Sequence, residues 1–415
     1  MEKKIYLHLG LHKTATTSFQ ATCAKNRDVL LKQGFLYPLI NCGDSAIAPF
    51  DNHSIPLFSL FTSEPENYPV NQRLGLINLN KIHQQYRLQF KTILNTDQDL
   101  IISAEDITSL ETDEIKDLLT YLQKTGKKIK PFAAIRHPYN YHCSQLQQQI
   151  KDGQPMTLWH HCPQRDRIEK VDDIFKKDIQ FIDFEASCNH LYGPVGYLME
   201  SMGIDLQNIE ITGRNIGRCN ANIRLQNLLN HKEPGLKDNQ RNPRHIKIAP
   251  FAGKKFRLTD EELSRRSPHW DDPSRDVSLI EHLEHENMLI KEITGIKWDI
   301  TKIERLQTHL DNSFPYPTYA LIITIGRILQ SMNHTSVKSL PIEKIHEMLT
   351  NSSSNLLQKL QPISKSHINC LIQPSLKNHS DTVDDELKKC GIPSKSVSAL
   401  MSLAMIWIRR RRGEN

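Results

Sequence analysis

Glycine is scarce in this chain, and several other shortages exclude whole classes of protein. The 17 glycines among 415 residues are about half the usual ~7% share, which excludes a collagen-like repeat. The eight cysteines are scattered and form no C-x-x-C pair, so they do not indicate a disulfide framework. A chain of 415 residues is long enough to bury a core, so neither disulfides nor a metal is needed for folding.

Long apolar runs and a strong charge of one sign are also lacking. No run reaches the ~18 residues of a membrane span, and the opening MEKKIYLHLGLHKT lacks the apolar core of a signal peptide. The net charge is +6, from 53 basic and 47 acidic residues. This small excess does not indicate a nucleic-acid partner, although it suits a small anionic ligand. We therefore expect a soluble, cytoplasmic protein.

Short apolar runs alternate with helical segments up to about residue 211. The predicted strands are 4–9, 99–103, 131–135, 180–184 and 209–211. The predicted helices between them are 17–31, 114–124, 139–151 and 191–202. Strands that alternate with helices of this length predict an α/β fold, in which helices flank a parallel sheet on both faces.

Two stretches depart from this alternation. Residues 40–95 contain four prolines (positions 49, 56, 65 and 69) and no clean apolar period, which predicts an irregular lid or acceptor-binding insertion. Beyond residue 300 the pattern becomes helical, with predicted helices at 304–310, 319–332, 342–349 and 395–412. We therefore expect one domain over 1–300 and an α-helical extension of unknown role over 301–415.

The segment LGLHKTATTS, residues 9–18, lies between the first predicted strand and the first predicted helix. Backbone N–H groups at a helix N-terminus can hold a phosphate, and Lys13 adds a positive charge among several hydroxyls. The spacing is not G-x-x-x-x-G-K-[ST], so the Walker loop of nucleotide triphosphatases is absent. The structural alternative is an ordinary helix start with capping hydroxyls.

A second polar segment, IRHPYNYHCS at residues 135–144, follows a later predicted strand. Arg136 ends that strand, Pro138 turns the chain out of it, and Ser144 follows the arginine by eight residues on the next helix. An arginine can bind a phosphate through two parallel hydrogen bonds, and a nearby serine hydroxyl can donate to the same group. The two segments together are far more specific than either one alone.

This combination resembles the sulfotransferases that use 3′-phosphoadenosine-5′-phosphosulfate (PAPS). The opening of their bacterial branch, H-x-G-x-H-K-T-G-T-T-S-x-Q, is matched at residues 8–20 with Ala15 in place of a glycine. The resemblance covers roughly residues 3–300 and implies a P-loop-like sulfotransferase fold with PAPS as co-substrate. It implies that the phosphosulfate is held by Lys13, Thr14, Ala15, Thr16, Thr17 and Ser18. It implies that the 3′-phosphate is held by Arg136 and Ser144.

The implied reaction transfers a sulfuryl group to a hydroxyl acceptor by in-line displacement, with a general base taking the hydroxyl proton. Related enzymes use Glu or His as this base. Glu105 is the first candidate, because it follows a predicted strand where ligands gather in open α/β sheets. His53, in the predicted insertion, and His12, beside Lys13, are the second and third candidates. Family analogy makes the acceptor a carbohydrate or glycoconjugate.

Other readings of the same residues remain open. A kinase-like phosphotransferase would use the same loop with Mg²⁺, and a nucleotide-binding protein without turnover would tolerate Ala15 at the family's glycine. No metal site is predicted, because the adjacent His160, His161 and Cys162 lack a regular ligand spacing.

The C-terminal segment 397–412 is apolar up to residue 408 and ends in four arginines. Such a segment can lie at an anionic membrane surface, which predicts a possible peripheral membrane contact. The alternative is a helix that packs on the rest of the protein with a solvated basic end.

Overall fold

The computed structural model describes residues 2–76, 78–158, 163–213, 217–232, 234–237, 240–242, 245, 255–299 and 303–305. The helices predicted beyond residue 305, the segment 397–412 and the run His160-His161-Cys162 lie outside these residues. Among the described helices, none combines the length and the apolar character that a membrane crossing requires.

The described chain forms two compact units that interleave along the sequence. The first unit contains the described residues of 2–142, 163–213 and 268–303, and the second those of 143–158, 217–267 and 304–305. The predicted boundary at residue 300 separates two continuous stretches of chain. Each observed unit instead contains several separate stretches of the sequence.

A five-stranded parallel sheet forms the centre of the first unit, which confirms the predicted α/β class. The strands are β1 (Lys4–Leu9), β2 (Phe35–Leu36), β3 (Asp99–Ala104), β4 (Lys128–Ile135) and β5 (Gln180–Asp183). Their order is β2-β3-β1-β4-β5, and every neighbouring pair is parallel. Because β1 lies at the centre with Leu9 opposite Ala104 of β3, the chain segments that follow β1 and β3 emerge side by side.

The described helices are divided between the two units. Their bounds are α1 (Thr16–Lys25), α2 (Arg27–Lys32), α3 (Ser54–Phe61), α4 (Pro69–Arg73), α5 (Leu79–Leu94), α6 (Thr112–Gln123), α7 (Pro138–Lys151), α8 (Pro163–Phe175), α9 (Phe184–Ser187), α10 (Gly193–Ser201), α11 (Asn220–Lys232), α12 (Asp260–Leu263) and α13 (Leu279–Thr294). Short strands also occur at β6 (Leu236–Lys237), β7 (Gln240–Arg241), β8 (Arg266–Pro268) and β9 (Asp276–Ser278).

Apolar side chains pack against both faces of the sheet. On β1, Ile5, Leu7 and Leu9 are fully buried in a core shared with α5, α6 and α8. The opposite face packs Ile101 of β3 and Phe132 of β4 against α1 and α10. Successive side chains of a strand point to opposite faces, so helices on both sides bury most positions of the inner strands.

Residues 40–95 are largely helical, so the prediction of an irregular insertion is wrong. They contain α3, α4 and the 16-residue α5. The buried residues of α5 recur at every fourth position, as Ile82, Tyr86, Phe90 and Leu94, which is a helical period. Polar residues between them hide that period from a reading of the composition. The prolines fit this result, since Pro69 is the first residue of α4, where proline is tolerated.

Residues 209–211 do not form the predicted strand, and the predicted helix 17–31 is divided at Asn26. The Asn26 side chain accepts a hydrogen bond from the Glu210 backbone N–H (2.9 Å) and donates to the Glu210 carbonyl (2.9 Å) and to that of Thr22 (2.7 Å). A side-chain amide therefore satisfies the backbone of Glu210 in place of a strand ladder. The same residue separates α1 from α2.

Candidate functional site

The loop between β1 and α1 lies where the sequence predicted a phosphate-binding segment. Lys13 has a φ of 69° and Ala15 a φ of 62°, so two residues that are not glycine take the left-handed conformation. The hydroxyl of Thr14, which is fully buried, donates to the Leu11 carbonyl. This bond fixes the turn, so the Thr14 hydroxyl is engaged by the backbone of the loop itself. The side chains of Lys13 and Thr17 are partly exposed.

Ala15 occupies a backbone conformation that favours glycine, the residue that the matched family motif has at this position. The left-handed conformation carries a steric cost of about 1–2 kcal/mol for a residue with a Cβ. Glycine has no such steric cost, but it loses more conformational entropy on folding than alanine, which amounts to about 0.5–1 kcal/mol. Ala15→Gly should therefore raise the free energy of unfolding by roughly 0.5–1 kcal/mol, measured by denaturant titration.

The matched control is Ala21→Gly, because Ala21 is buried in the interior of α1. There glycine should lower the free energy of unfolding by about 0.5–1 kcal/mol. If both variants were destabilised alike, the strain at Ala15 would not exist.

Gly10 and Thr16 pack closely at the base of this loop. A Cβ on Gly10 would lie 2.7 Å from Thr16 Oγ1 and 3.1 Å from the Cα of Glu105, so glycine is required for this approach. Thr16 is 3% exposed, and its Oγ1 has no hydrogen-bond partner among the described residues. A buried hydroxyl in this state, at a helix N-terminus whose first N–H groups lack intrahelical partners, fits a loop that binds an anion.

Arg136 joins the end of β4 to this loop. Its Nη1 donates to the Lys13 carbonyl (2.9 Å), its guanidinium lies over the Phe184 ring at 5.2 Å, and its Nε lies 3.7 Å from Glu185 Oε1. The structure thus brings together Lys13 and Arg136, the two cations of the sequence motifs. One role of Arg136 is to hold the left-handed turn at Lys13.

Glu185, on α9, lies beside Arg136, and the sequence gave no signal for this contact. Its carboxylate accepts hydrogen bonds from the His137 backbone N–H (2.9 Å) and from the Asn140 side chain (2.9 Å). Burial raises the pKa of Glu185, and these bonds and Arg136 oppose that rise. Ser144 lies farther along α7, in the second unit. The pairing of Arg136 with Ser144 on a 3′-phosphate therefore stays a prediction, and a carboxylate already contacts that arginine.

His12 and Glu105 form a hydrogen-bonded pair beside the loop. Nδ1 of His12 bonds Oε1 of Glu105, which follows β3 directly. Burial raises the pKa of Glu105 to about 7, and the charge of Lys13 opposes this rise. A carboxyl group that titrates near neutral pH is suited to accept or donate a proton in catalysis. Glu105 and His12, the first and third candidates for the general base, are therefore hydrogen-bonded to each other.

Asp106 and Tyr68 extend this pair. The Tyr68 hydroxyl donates to Asp106 Oδ2 (2.5 Å), and Asp106 Oδ1 lies 3.9 Å from His12 Nε2. The Asp106 backbone N–H donates to the Ser54 hydroxyl (2.9 Å), which ties the cluster to α3. Tyr68 comes from the region predicted to be irregular, and no feature of the sequence connects it to Asp106.

His53, the second candidate for the base, is fully buried and engaged with the backbone. Its Nε2 donates to the Pro38 carbonyl (2.7 Å), and its Nδ1 accepts from the Ser103 N–H (2.9 Å). Burial lowers its pKa to about 4, so the ring is neutral at pH 7. These contacts favour a structural role for His53 and leave Glu105 and His12 as the better-placed groups.

Comparison with known proteins assigns this chain to no class. No protein-family model, no curated protein and no solved structure matches it. The resemblance to sulfotransferases therefore rests on the residues of the two motifs and on the site that the first of them forms.

Proposed function

We propose that this protein is a PAPS-dependent sulfotransferase that transfers a sulfuryl group to a hydroxyl acceptor by in-line displacement. The observation that carries the proposal is the pairing of His12 with Glu105, next to a loop built to hold an anion. An acid–base pair beside a phosphate-type loop is the arrangement that such a transfer needs. The parallel sheet, with the loop after its central strand, is compatible with the P-loop-like fold of that family.

The loop supplies the binding and electrostatic part of the reaction. When bound, PAPS would supply an activated sulfuryl group whose departure leaves negative charge on the 5′-phosphate. Lys13, the N-terminus of α1 and the Thr16 hydroxyl would hold that phosphate. Donors that are fixed before the reaction, and aimed where charge develops, stabilise the transition state most. Arg136 positions the Lys13 carbonyl (2.9 Å) and therefore keeps this loop in register.

Glu105 and His12 supply the proton transfer. As the acceptor oxygen forms its bond to sulfur and the bond from sulfur to the leaving phosphate breaks, the hydroxyl proton passes to the pair. The two groups share a hydrogen bond, so their proton belongs to the pair and not to either residue alone. The carbohydrate or glycoconjugate acceptor and the cytoplasmic location remain predictions from the sequence.

Calorimetry with adenosine 3′,5′-bisphosphate tests the proposal directly. We expect binding to the full chain, at least about tenfold weaker for adenosine 5′-monophosphate, because each 1.4 kcal/mol of lost contact changes affinity tenfold. Binding of neither nucleotide would refute the proposal. Equal binding of both would reject the use of the 3′-phosphate and favour a different donor.

The two alternatives make different predictions in the same preparation. A kinase-like phosphotransferase should need Mg²⁺ for phosphoryl transfer, whereas sulfuryl transfer from labelled PAPS should proceed in the presence of EDTA. A nucleotide-binding protein without turnover should bind adenosine 3′,5′-bisphosphate and transfer no label to any acceptor of a carbohydrate panel.

A further inference from the structure

A second cluster of ligating side chains lies in the first unit and shares no residue with the site around Lys13. His269 and Asp271 belong to the connection between β8 and β9, and His285 lies on α13. One ligand atom from each of the three lies within 4.8 Å of the other two. We propose that these residues bind a divalent transition-metal ion of the Zn²⁺ type.

The donor set decides which ions fit. Two imidazoles and one carboxylate suit zinc and its first-row neighbours, whereas magnesium and calcium prefer sites built from oxygen alone. Three protein ligands leave one tetrahedral position for water. This ion goes beyond the proposed function, since no step of the sulfuryl transfer requires it.

The connection that carries two of the ligands is held by its own hydrogen bonds. The His269 N–H donates to the Arg275 carbonyl (2.8 Å), and the Arg275 N–H donates to the Asp272 carbonyl (3.1 Å). Asp272 in turn accepts from the Ser274 N–H (3.2 Å) and hydroxyl (2.6 Å). A closed turn therefore presents His269 and Asp271 together, so part of the ordering cost of a metal site is already met.

α13, which carries the third ligand, begins at Leu279, nearly two turns before His285. Ser278 and Glu281 form a reciprocal capping box at its start, which fixes the helix end. The His269 and His285 rings lie 5.2 Å apart, centroid to centroid, in an edge-to-face arrangement. A bound ion would connect the turn to this helix.

Arg165 holds the carboxylate of this cluster in place. Arg165 donates to both carboxylate oxygens of Asp271 (2.8 and 3.0 Å), an outer contact of the kind that orients a metal-ligating carboxylate. The same guanidinium also pairs with Glu169 (3.3 Å) and with the fully buried Glu286 (3.1 Å). Burial raises the pKa of Glu286 to about 8, so this carboxyl is largely neutral at pH 7, and Arg165 is shared between the carboxylates of Asp271 and Glu169.

The ligand atoms must draw together when the ion binds. Bonds of about 2.0–2.1 Å in a tetrahedron place ligand atoms ~3.3 Å apart, closer than the 4.8 Å limit that now contains them. Side-chain rotation can supply this difference. His269 Nδ1 now accepts the Asp271 N–H (3.1 Å), and that bond is given up if this nitrogen becomes the ligand.

Zinc titration of the full chain against a chromophoric chelator tests the site. We expect His269→Ala and His285→Ala each to weaken one Zn²⁺ site by at least about tenfold, the lower end of what losing an outer contact alone costs. His231→Ala is the matched control, because His231 is an exposed histidine in the second unit. Its zinc affinity should equal that of the unmodified protein.

A spectroscopic readout separates lost binding from lost folding. Co²⁺ added to the unmodified protein should give the intense visible bands of a tetrahedral site, and His285→Gln should remove them while keeping the far-ultraviolet circular dichroism of the parent. The proposal is overturned if the protein binds no Zn²⁺. It is equally overturned if both histidine variants bind zinc with parental affinity, since other ligands then hold the ion.

Discussion

Glu105→Gln is expected to slow sulfuryl transfer by about 10²–10⁴-fold, the usual contribution of a general base. The amide keeps the size of the side chain and removes the proton acceptor. Binding of adenosine 3′,5′-bisphosphate should persist, because the loop around Lys13 is unchanged. Single-turnover rates with labelled PAPS, together with calorimetry of the bisphosphate, measure the two quantities separately.

The same role for Glu105 predicts how the rate of transfer depends on pH. Since burial raises the pKa of Glu105 to about 7, the carboxyl is protonated below that pH and cannot take the acceptor's proton. The rate of the unmodified enzyme should therefore fall as the pH drops through about 7. In Glu105→Gln this inflection should disappear.

Two controls complete this test. Glu284→Gln changes an exposed carboxylate on α13 and should leave the rate and its pH profile as they are. If His12 and Glu105 act as one unit, the double variant His12→Gln/Glu105→Gln should be scarcely slower than Glu105→Gln, since such groups are not additive. A Glu105→Gln enzyme with near-normal turnover would remove Glu105 from the mechanism.

Lys13→Met should lower the rate of transfer by about 10²–10³-fold, the cost of removing one fixed donor aimed at developing negative charge. The loop should keep its shape, because Arg136 contacts the Lys13 carbonyl (2.9 Å) and not its side chain in that bond. Calorimetry and single-turnover kinetics should show a larger loss in rate than in bisphosphate affinity.

Two control variants, Lys13→Arg and Lys32→Met, test whether the effect is specific to Lys13. Lys13→Arg keeps the charge and should recover part of the rate, while Lys32→Met removes an exposed lysine from α2 and should change neither quantity. Equal losses in Lys13→Met and Lys32→Met would mean that only general charge matters and that Lys13 makes no specific contact.

The sequence predicted the inner strands because local pattern and tertiary burial agree there. Lys4–Leu9 was placed to the residue, because its apolar residues alternate and include residues typical of strands. The same reasoning failed at 209–211, where the Asn26 amide hydrogen-bonds both backbone groups of Glu210 and no strand forms. Short apolar segments do not carry enough information to distinguish those two outcomes.

The candidate site was predictable only where it is local. Lys13, Ala15 and Thr16 lie in one continuous motif, and the left-handed φ of Ala15 follows from its position in that motif. The contacts of Glu105 with His12, and of Asp106 with Tyr68, join residues far apart in the chain. They depend on strand order and on helices that a proline-rich composition concealed. The cluster of His269, Asp271 and His285 was not predicted either. Its residues follow no regular ligand spacing, since an H-x-D segment is followed by a single histidine fourteen residues later.

The close packing at Gly10 has a consequence for the conformational-entropy cost of ligand binding. Thr16 and the Glu105 backbone both lie against this glycine, so the loop after β1 and the segment after β3 pack directly on one another. If the loop binds a nucleotide as proposed, this packing limits the backbone freedom that binding must remove, which lowers the conformational-entropy cost of binding. A methyl group at position 10 would lie 2.7 Å from Thr16 Oγ1 and 3.1 Å from the Cα of Glu105, so Gly10→Ala should push the loop and the segment after β3 apart.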